Sequence, residues 1–510
     1  MSTVKLKASD GSLVEFVDNI IGSGTMKDVY FSPDKSYVVG FFQKKQDANA
    51  KDRLENIVGK YRQSIFGQTG GDYWKDLYCW PERIVEHNGR LGIMVPTYAQ
   101  HFFFQHGSID NAKYAIKGQG KEGKWFTSAW HKYGLLDPRE RGDWLSYLRI
   151  CIKLSRSVKR LHAAGLAHSD LSYKNVLIDP ISGSASIIDI DGLVVPGKFP
   201  PDVLGTPEFI APEVLQTQKL LSSDKNRKLP SRLTDQHALA VLIYMYLLNR
   251  HPLQGRKVHD CDDAERDEAL AMGEKALFIE HPTDISNRYD VKWVKRNNNS
   301  APSRLQHLLP WQDLDVLPYK ILGPYLSELV QKAFVDGLHN PSQRPMANDW
   351  EDALIKTTDL LQQCENKSCT QKWYVFDNST RPVCPFCKTP FKGILPILNL
   401  YSKWGSNDSF KPEKYRVMVY NGVRLYPWHV NRGVFPNEKL TPEQKKSVGY
   451  FQFHSGQWYL RNESLPGMKD ITGGGKLVGI GEIVQLTEGR QILLSEENGG
   501  RLIQVQLVQC

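Results

Sequence analysis

The sequence predicts an α+β chain: a small sheet, a helical middle and a β-rich tail follow one another, and three observations carry that expectation. The first hundred residues alternate short β-type runs with turns around one helical stripe. Residues 144–165 and 234–248 are long helical patterns, and 325–363 gives further helix. After Cys387 the chain changes to aromatic and β-branched runs separated by Gly, Asn and Pro.

Taken in order, the strand-like runs of the first part are Leu13 to Ile21, Val29 to Phe31, Tyr37 to Phe42 and Leu91 to Val95. Between them Ala50, Leu54, Ile57, Val58 and Tyr61 recur at helical spacing, so a single amphipathic helix over 47–61 interrupts the sheet. Two stretches read as mobile surface insertions: Gly118 to Gly123, and the charged segment from Asp260 to Ser303 with Asn297, Asn298 and Asn299 near its end. In the tail, Gly473, Gly474 and Gly475 stand in a row, and Thr441 to Lys446 is an isolated helical pattern.

Composition bounds the function. With 510 residues, 41% hydrophobic and 11% aromatic, the chain is neither disordered nor fibrous, and several folded domains are expected. A net charge of +9 over this length matches many soluble enzymes, and we expect no nucleic-acid partner. No run approaches the roughly 20 apolar residues of a bilayer span, and the first residues lack the pattern of a leader, so a cytoplasmic protein without membrane contact is expected. Of the eight cysteines, Cys364, Cys369, Cys384 and Cys387 cluster, which in a reducing compartment reads as a metal site before disulfides. Two thiolate pairs flanking a loop suit tetrahedral Zn²⁺, whose role would be to fold a ribbon too small for its own core.

The most informative segment is His168-Ser169-Asp170-Leu171-Ser172-Tyr173-Lys174-Asn175, followed by a short hairpin and Ile188-Asp189-Ile190-Asp191-Gly192. Gly205-Thr206-Pro207-Glu208-Phe209-Ile210-Ala211-Pro212-Glu213 comes next. In order and spacing these resemble the catalytic loop, the metal-binding motif and the end of the activation segment of protein kinases. The resemblance implies a two-lobed kinase fold and transfer of the γ-phosphoryl group of ATP, a reaction that depends on alignment and on charge neutralisation by Mg²⁺. Asp170 would accept the acceptor's proton. Asn175 and Asp189 would hold Mg²⁺, with Asp191, where the family carries Gly, as the alternative ligand.

Ile21-Gly22-Ser23-Gly24-Thr25-Met26-Lys27-Asp28-Val29-Tyr30 resembles the family's Gly-rich loop, with Lys27 in place of the third Gly. The strand that carries the family's phosphate-gripping lysine reads Tyr37-Val38-Val39-Gly40-Phe41-Phe42, with Gly40 in the lysine's position. Either the chain is a pseudokinase or nucleotide-binding scaffold, or Lys27 crosses from the neighbouring strand, as in the with-no-lysine kinases its loop resembles; we favour the second. Glu55 is the expected helix partner of that lysine, with Asp52 its nearest competitor. Lys44 and Lys45 should face solvent. Gly22, Gly24 and Lys27 would line the nucleotide site together with a hinge at Met94, Val95 and Tyr98.

The resemblance also makes Arg344 the buried partner of Glu213 and Asp235 the brace of the catalytic loop. Ser169 replaces the arginine that would receive an activation-loop phosphate, so constitutive competence is expected. Ser172 and Lys174 leave acceptor type open between Ser/Thr and Tyr, and Thr206 before Pro207 favours Ser/Thr.

The expected boundaries are a kinase N-lobe over 1–100, a C-lobe over 101–360, a zinc ribbon over 361–395 and a β module over 396–510. The strand rhythm of that module resembles a forkhead-associated sandwich, a phosphothreonine reader, with Arg424 and Arg432 as the only candidate phosphate grips. The run Gly165 to Asp170 and the segment Leu193 to Val214 look like the bacterial kinase of the tellurite-resistance-linked phosphorylation triads. That likeness implies a von Willebrand-type protein and a metal-dependent phosphatase as partners, besides protein substrates.

Overall fold

The structure, a computed structural model, describes residues 2–23, 26–67, 70–195, 198–199, 204–221, 223–289, 309–377, 381–403 and 409–509. The chain divides into two units, residues 1–319 with 328–352, and residues 320–327 with 353–510.

The first unit opens with a hairpin of β1 (Thr3–Lys7) and β2 (Leu13–Val17). The predicted strand from Leu13 to Ile21 is in fact broken at Asp18-Asn19, and β3 (Ile20–Ser23) begins a separate sheet. β4 (Lys27–Phe31), β5 (Tyr37–Phe42), β6 (Arg83–His87) and β7 (Arg90–Pro96) complete it in the order β3-β4-β5-β7-β6. Successive side chains alternate between its faces. Val39, Phe41 and Met94 pack with Val14 and Phe16 on one face. Phe42, Leu91 and Ile93 pack with Leu54 on the other.

Leu54 belongs to α1 (Ala48–Asn56), which Asp47 caps by accepting from the Ala50 amide. The expected single helix continues beyond Tyr61 through a π turn, Ile57–Tyr61, into α2 (Arg62–Phe66), and α3 (Gly71–Lys75) follows.

The helical middle is built on α4 (Trp144–Ala163), capped by Asp143, and α6 (Arg232–Leu248), which starts in a reciprocal cap between Ser231 and Thr234. Every residue of α6 from Thr234 to Leu248 is buried, the polar Thr234, Asp235, Gln236 and His237 included, and from Ala238 on the helix is apolar on every side, as a core helix is. β8 (Val176–Asp179) and β9 (Ser184–Ile187) form a hairpin, and α5 (Pro212–Thr217) precedes α6.

Both predicted insertions depart from expectation. In 118–123, Lys121 is buried between Asp179 at 2.8 Å and Glu140 at 3.1 Å, and its carbonyl accepts from the Ile178 amide. A buried lysine with two carboxylates anchors a loop rather than releasing it. In the second, α7 (Ala264–Met272) and the amides that Asp267 receives from His259 and Asp260 order its first part; residues 290–303, with the Asn run, lie outside the described residues.

In the second unit, β10 (Leu361–Gln363) and β11 (Trp373–Val375) form a hairpin at the cysteine cluster. A sandwich follows, from β12 (Ile394–Ser402), β13 (Lys411–Met418), β14 (Arg424–Leu425), β15 (Gly449–His454), β16 (Gln457–Asn462), β17 (Lys469–Asp470), β18 (Lys476–Leu477), β19 (Ile483–Gln485), β20 (Gln491–Leu493) and β21 (Arg501–Gln509). Its sheets run β13-β12-β21-β20-β17-β18 and β14-β15-β16-β19. β12 is apolar on both faces for a reason. Leu398 and Leu400 enter the sandwich core, while Leu395 and Ile397 pack on Cys364, Cys369, Cys384 and Tyr374. The helical pattern at Thr441 to Lys446 is realised as turns, and the only short helix of the sandwich among the described residues is Pro427–Val430.

Candidate active site

The first half of the site comes from β4 and β5. Lys27 pairs with Phe42 and Val29 with Gly40, so Lys27, Gly40 and Phe42 share the α1 face of the sheet. The stem of Lys27 lies over Gly40, where a Cβ would stand 3.6 Å from Lys27 Cδ. Its Nζ donates to both oxygens of Asp191 at 2.7 Å and to Asp189 Oδ1 at 3.2 Å. Burial works to strip the Lys27 proton, but Asp191 and then Asp189 outweigh it and hold the ammonium well above its ordinary pKa. Burial raises the Asp191 carboxyl above the usual range, Lys27 pulls it back, and Asp189 pushes it up again.

Asp189 sits in the left-handed region, φ 60°, at the start of the single turn Ile190–Gly192. Its side chain is 48% exposed and that of Asp191 only 9%, so Asp189 is the carboxylate open to a ligand and Asp191 the one committed to Lys27.

The second half is the loop 168–175. Asp235, buried on α6, accepts from the amides of His168 at 2.7 Å and Ser169 at 3.1 Å, fixing Ser169 at φ 70°. Asp170 follows. Its Oδ1 accepts from the Thr206 amide at 2.7 Å and the Thr206 hydroxyl at 2.9 Å. The Asn175 amide nitrogen donates to Asp170 O at 2.8 Å and Oδ2 at 2.9 Å, which leaves the Asn175 carbonyl oxygen as the group able to meet a cation.

Gly205, at φ +116°, lets this segment close on the loop. A Cβ there would be 3.3 Å from Ser169 O, and the backbone angle itself favours glycine. Arg344 holds Glu213 through two 2.8 Å bonds, so both brace residues named from sequence are where they were expected.

Lys27, Asp189 and Asp191 are thus brought together, and Asp170 with Asn175. Glu55 is not with them. Arg53 and Leu54 are the buried residues of α1, and one further residue turns Glu55 outward into solvent, so the carboxylates on Lys27 come from the 189–191 turn. Asp52 is exposed and pairs with Lys198 at 3.5 Å.

Lys44 and Lys45 are exposed. Gly22 lies on β3, opposite Val29, whereas Gly24 falls outside the described residues. Val95 packs on the α1 face, but Met94 faces the opposite cluster. Tyr98 lines a separate cavity of about 330 Å³ with Cys79, Pro96 and Phe102. Missed from sequence were the commitment of Asp191 to Lys27 and the Thr206 hydroxyl bond to Asp170. The Gly at position 40, beside a lysine one strand away, was the available signal for the first.

In the second unit, Cys364, Cys369, Cys384 and Cys387 offer sulfurs within 4.8 Å of one another, with Cys364 and Cys387 at 3.4 Å and Cys369 and Cys384 at 3.9 Å. These separations are far above a disulfide bond and close to the roughly 3.8 Å edge of a tetrahedron built on 2.3 Å Zn–S bonds. Arg424 donates to Ser447 Oγ at 2.9 Å and pairs with Glu463 at 3.3 Å, so its charge already meets a carboxylate of the chain.

Comparison with known proteins covers the 168–175 loop and the 189–191 turn but does not reach Lys27. Residues 145–345 match the family model described as the protein kinase domain, and the chain therefore carries a protein kinase domain. The serine/threonine-protein kinase PSK2 of Saccharomyces cerevisiae is 31% identical over 150 residues, covering 27% of this chain and 13% of the relative. The protein kinase C-like 2 of Schizosaccharomyces pombe is 30% identical over 167 residues, covering 31% and 14%. The serine/threonine-protein kinase 17A of Oryctolagus cuniculus is 24% identical over 237 residues, covering 42% and 55%. The chain spans less than two thirds of the length of each of these relatives. Among the described residues no helix is long and apolar enough to cross a membrane.

Proposed function

We propose that the chain is a Mg-ATP-dependent protein kinase that phosphorylates Ser or Thr of protein substrates, itself included, with Lys27 as the phosphate-binding lysine. The observation that carries this reading is the passage of Lys27 over Gly40 to the carboxylates of Asp189 and Asp191. Bound Mg²⁺ neutralises phosphate charge and aligns the γ-phosphoryl group. Asn175 and Asp189, one through its carbonyl oxygen and one through its exposed carboxylate, are oxygen donors of the kind Mg²⁺ takes. Asp170, oriented by Thr206 and Asn175, accepts the proton of the acceptor hydroxyl. Asp191 keeps Lys27 charged and aimed into the cleft.

Ser/Thr acceptors are supported by the Thr206 hydroxyl bonding Asp170 and by the names of the relatives. The Cys364, Cys369, Cys384 and Cys387 cluster supports a closed Zn²⁺ site that folds the ribbon at the edge of the sandwich, and a four-cysteine metal site is the use of cysteine that a reducing, cytoplasmic setting favours. The two-sheet order of the sandwich supports a forkhead-associated-like module. With Arg424 held by Glu463, docking without phosphate selectivity is the better reading of it. Membership of the tellurite-resistance-linked triads, with a von Willebrand-type protein and a metal-dependent phosphatase as partners, rests on the resemblance of 165–170 and 193–214.

A radiolabelled ATP assay tests the kinase reading. Wild type should label itself or a generic protein substrate, while Asp170→Asn and Lys27→Met should each lose activity by at least about a hundredfold. Wild type without transfer would leave a nucleotide-binding scaffold, and Lys27→Met as fast as wild type would remove Lys27 from the phosphates.

A further inference from the structure

A cavity of about 420 Å³ opens beside the catalytic loop. Two segments that leave Asp170 reach its wall, Tyr173-Lys174 directly along the chain and Glu208 two residues past Thr206. The segment just after 118–123 contributes Lys124, Trp125 and His131, and it is tied to the loop by the Lys124 amide donating to Tyr173 O at 3.2 Å. The floor comes from the end of α6.

The charges on this wall are unevenly committed. Glu208, its one carboxylate, already accepts from the Tyr173 hydroxyl. Arg250 is held by Glu280 at 2.8 Å, and Lys124 by Glu122 at 2.7 Å. His131 is driven toward its neutral form by burial and then by Lys124. Lys174 is exposed and has no ion pair among the described residues. Asn249, at the C-terminus of α6, lines the same cavity with 0% exposure, and neither its Oδ1 nor its Nδ2 has a hydrogen-bond partner among the described residues. A free ammonium and a buried amide with unmet hydrogen bonds ask for an anionic, hydrogen-bonding group between them.

We propose that this cavity receives a carboxylate side chain flanking the acceptor hydroxyl of the substrate, with Lys174 and Asn249 as specificity-determining residues. The inference rests on the protein kinase reading above and adds the substrate class: acidic peptides. Trp125, Tyr173, Met245 and Tyr289 give the cavity apolar surface for the stem of that side chain and its neighbours.

The test uses the full chain and three peptides identical except that the residues flanking one serine are Glu, Gln or Lys. Wild type should favour the Glu peptide over the Gln peptide by about tenfold in kcat/KM, the scale of one charge-assisted hydrogen bond, mostly through KM. Lys174→Glu, an exposed change that should leave the melting temperature in place, should reverse the order of the Glu and Lys peptides. Asn249→Asp, which suits the left-handed backbone at φ 53°, should shrink the Glu preference without reversing it. Equal use of the three peptides, preference for Lys, or an unchanged order in Lys174→Glu overturns the proposal while leaving the kinase standing. No transfer to any peptide, to a generic protein or to the chain itself overturns both.

Discussion

Lys132 is 1% exposed, its Nζ lies 3.4 Å from the centroid of the Tyr147 ring, and no hydrogen-bond acceptor among the described residues reaches it. Burial, only partly opposed by Asp143, pushes its pKa well below the ordinary lysine value. The unfolded chain therefore binds a proton that the folded chain gives up, and stability rises with pH between the lowered folded pKa and about 10.4, the unperturbed value. Lys132→Met should abolish that slope and add about 1–3 kcal/mol near neutral pH, the cost of an unsatisfied buried group, read from denaturant melts at pH 7 and pH 9. The sequence alone hid this residue, because a lysine beside Trp130 and His131 reads as surface. Lys27 was legible for the opposite reason. A glycine where a long cation was expected, with a lysine on the adjacent strand, left two readings, and the side chain of Lys27 does pass over the empty Cβ position of Gly40 as the favoured one required.

At the scale of elements, α4 and α6 were readable because their apolar spacing holds over many turns. β1 was not, since Thr3–Lys7 buries only alternate residues and those only partly. The choice of Glu55 on α1 was the costlier error. The apolar stripe of α1 was identified, but the helix leads into a π turn and the buried pair is Arg53 and Leu54, so Glu55 falls on the solvent face. The ion pair on Lys27 therefore depends on the 189–191 turn rather than on this helix. Glu55→Gln should leave the KM for ATP within about twofold of wild type, the range of an exposed substitution. Asp191→Asn should raise that KM by about tenfold or more, since it removes the carboxylate that holds Lys27 in place. A steady-state ATP titration of both variants decides between helix and turn: a large effect at Glu55 would mean that the helix closes on the cleft during turnover.

For the whole molecule, the ribbon and the β module, expected as separate parts, fall in one unit, where β12 serves two cores at once. Periodicity could show that Ile394–Ser402 is a strand apolar on both faces, but not which two bodies cover it, since that depends on cysteines far away in sequence. The same arrangement makes metal binding a matter of stability for the second unit. Cys384 is fully buried, and Cys364 and Cys369 nearly so, against Leu395, Ile397 and Tyr374. Four sulfurs held this close to one another form a ready-made ligand set, and if they bind Zn²⁺ that binding energy is folding energy. The full chain as purified should release one Zn²⁺ per chain when its thiols are titrated with a mercurial and a colorimetric chelator. Calorimetry should resolve two transitions, of which strong chelation lowers the one belonging to residues 353–510 and leaves the kinase transition where it was. Release of no metal, or a chelator shift confined to the kinase transition, would mean that the sulfur cluster is an apolar packing element and that β12 is held by its two cores alone.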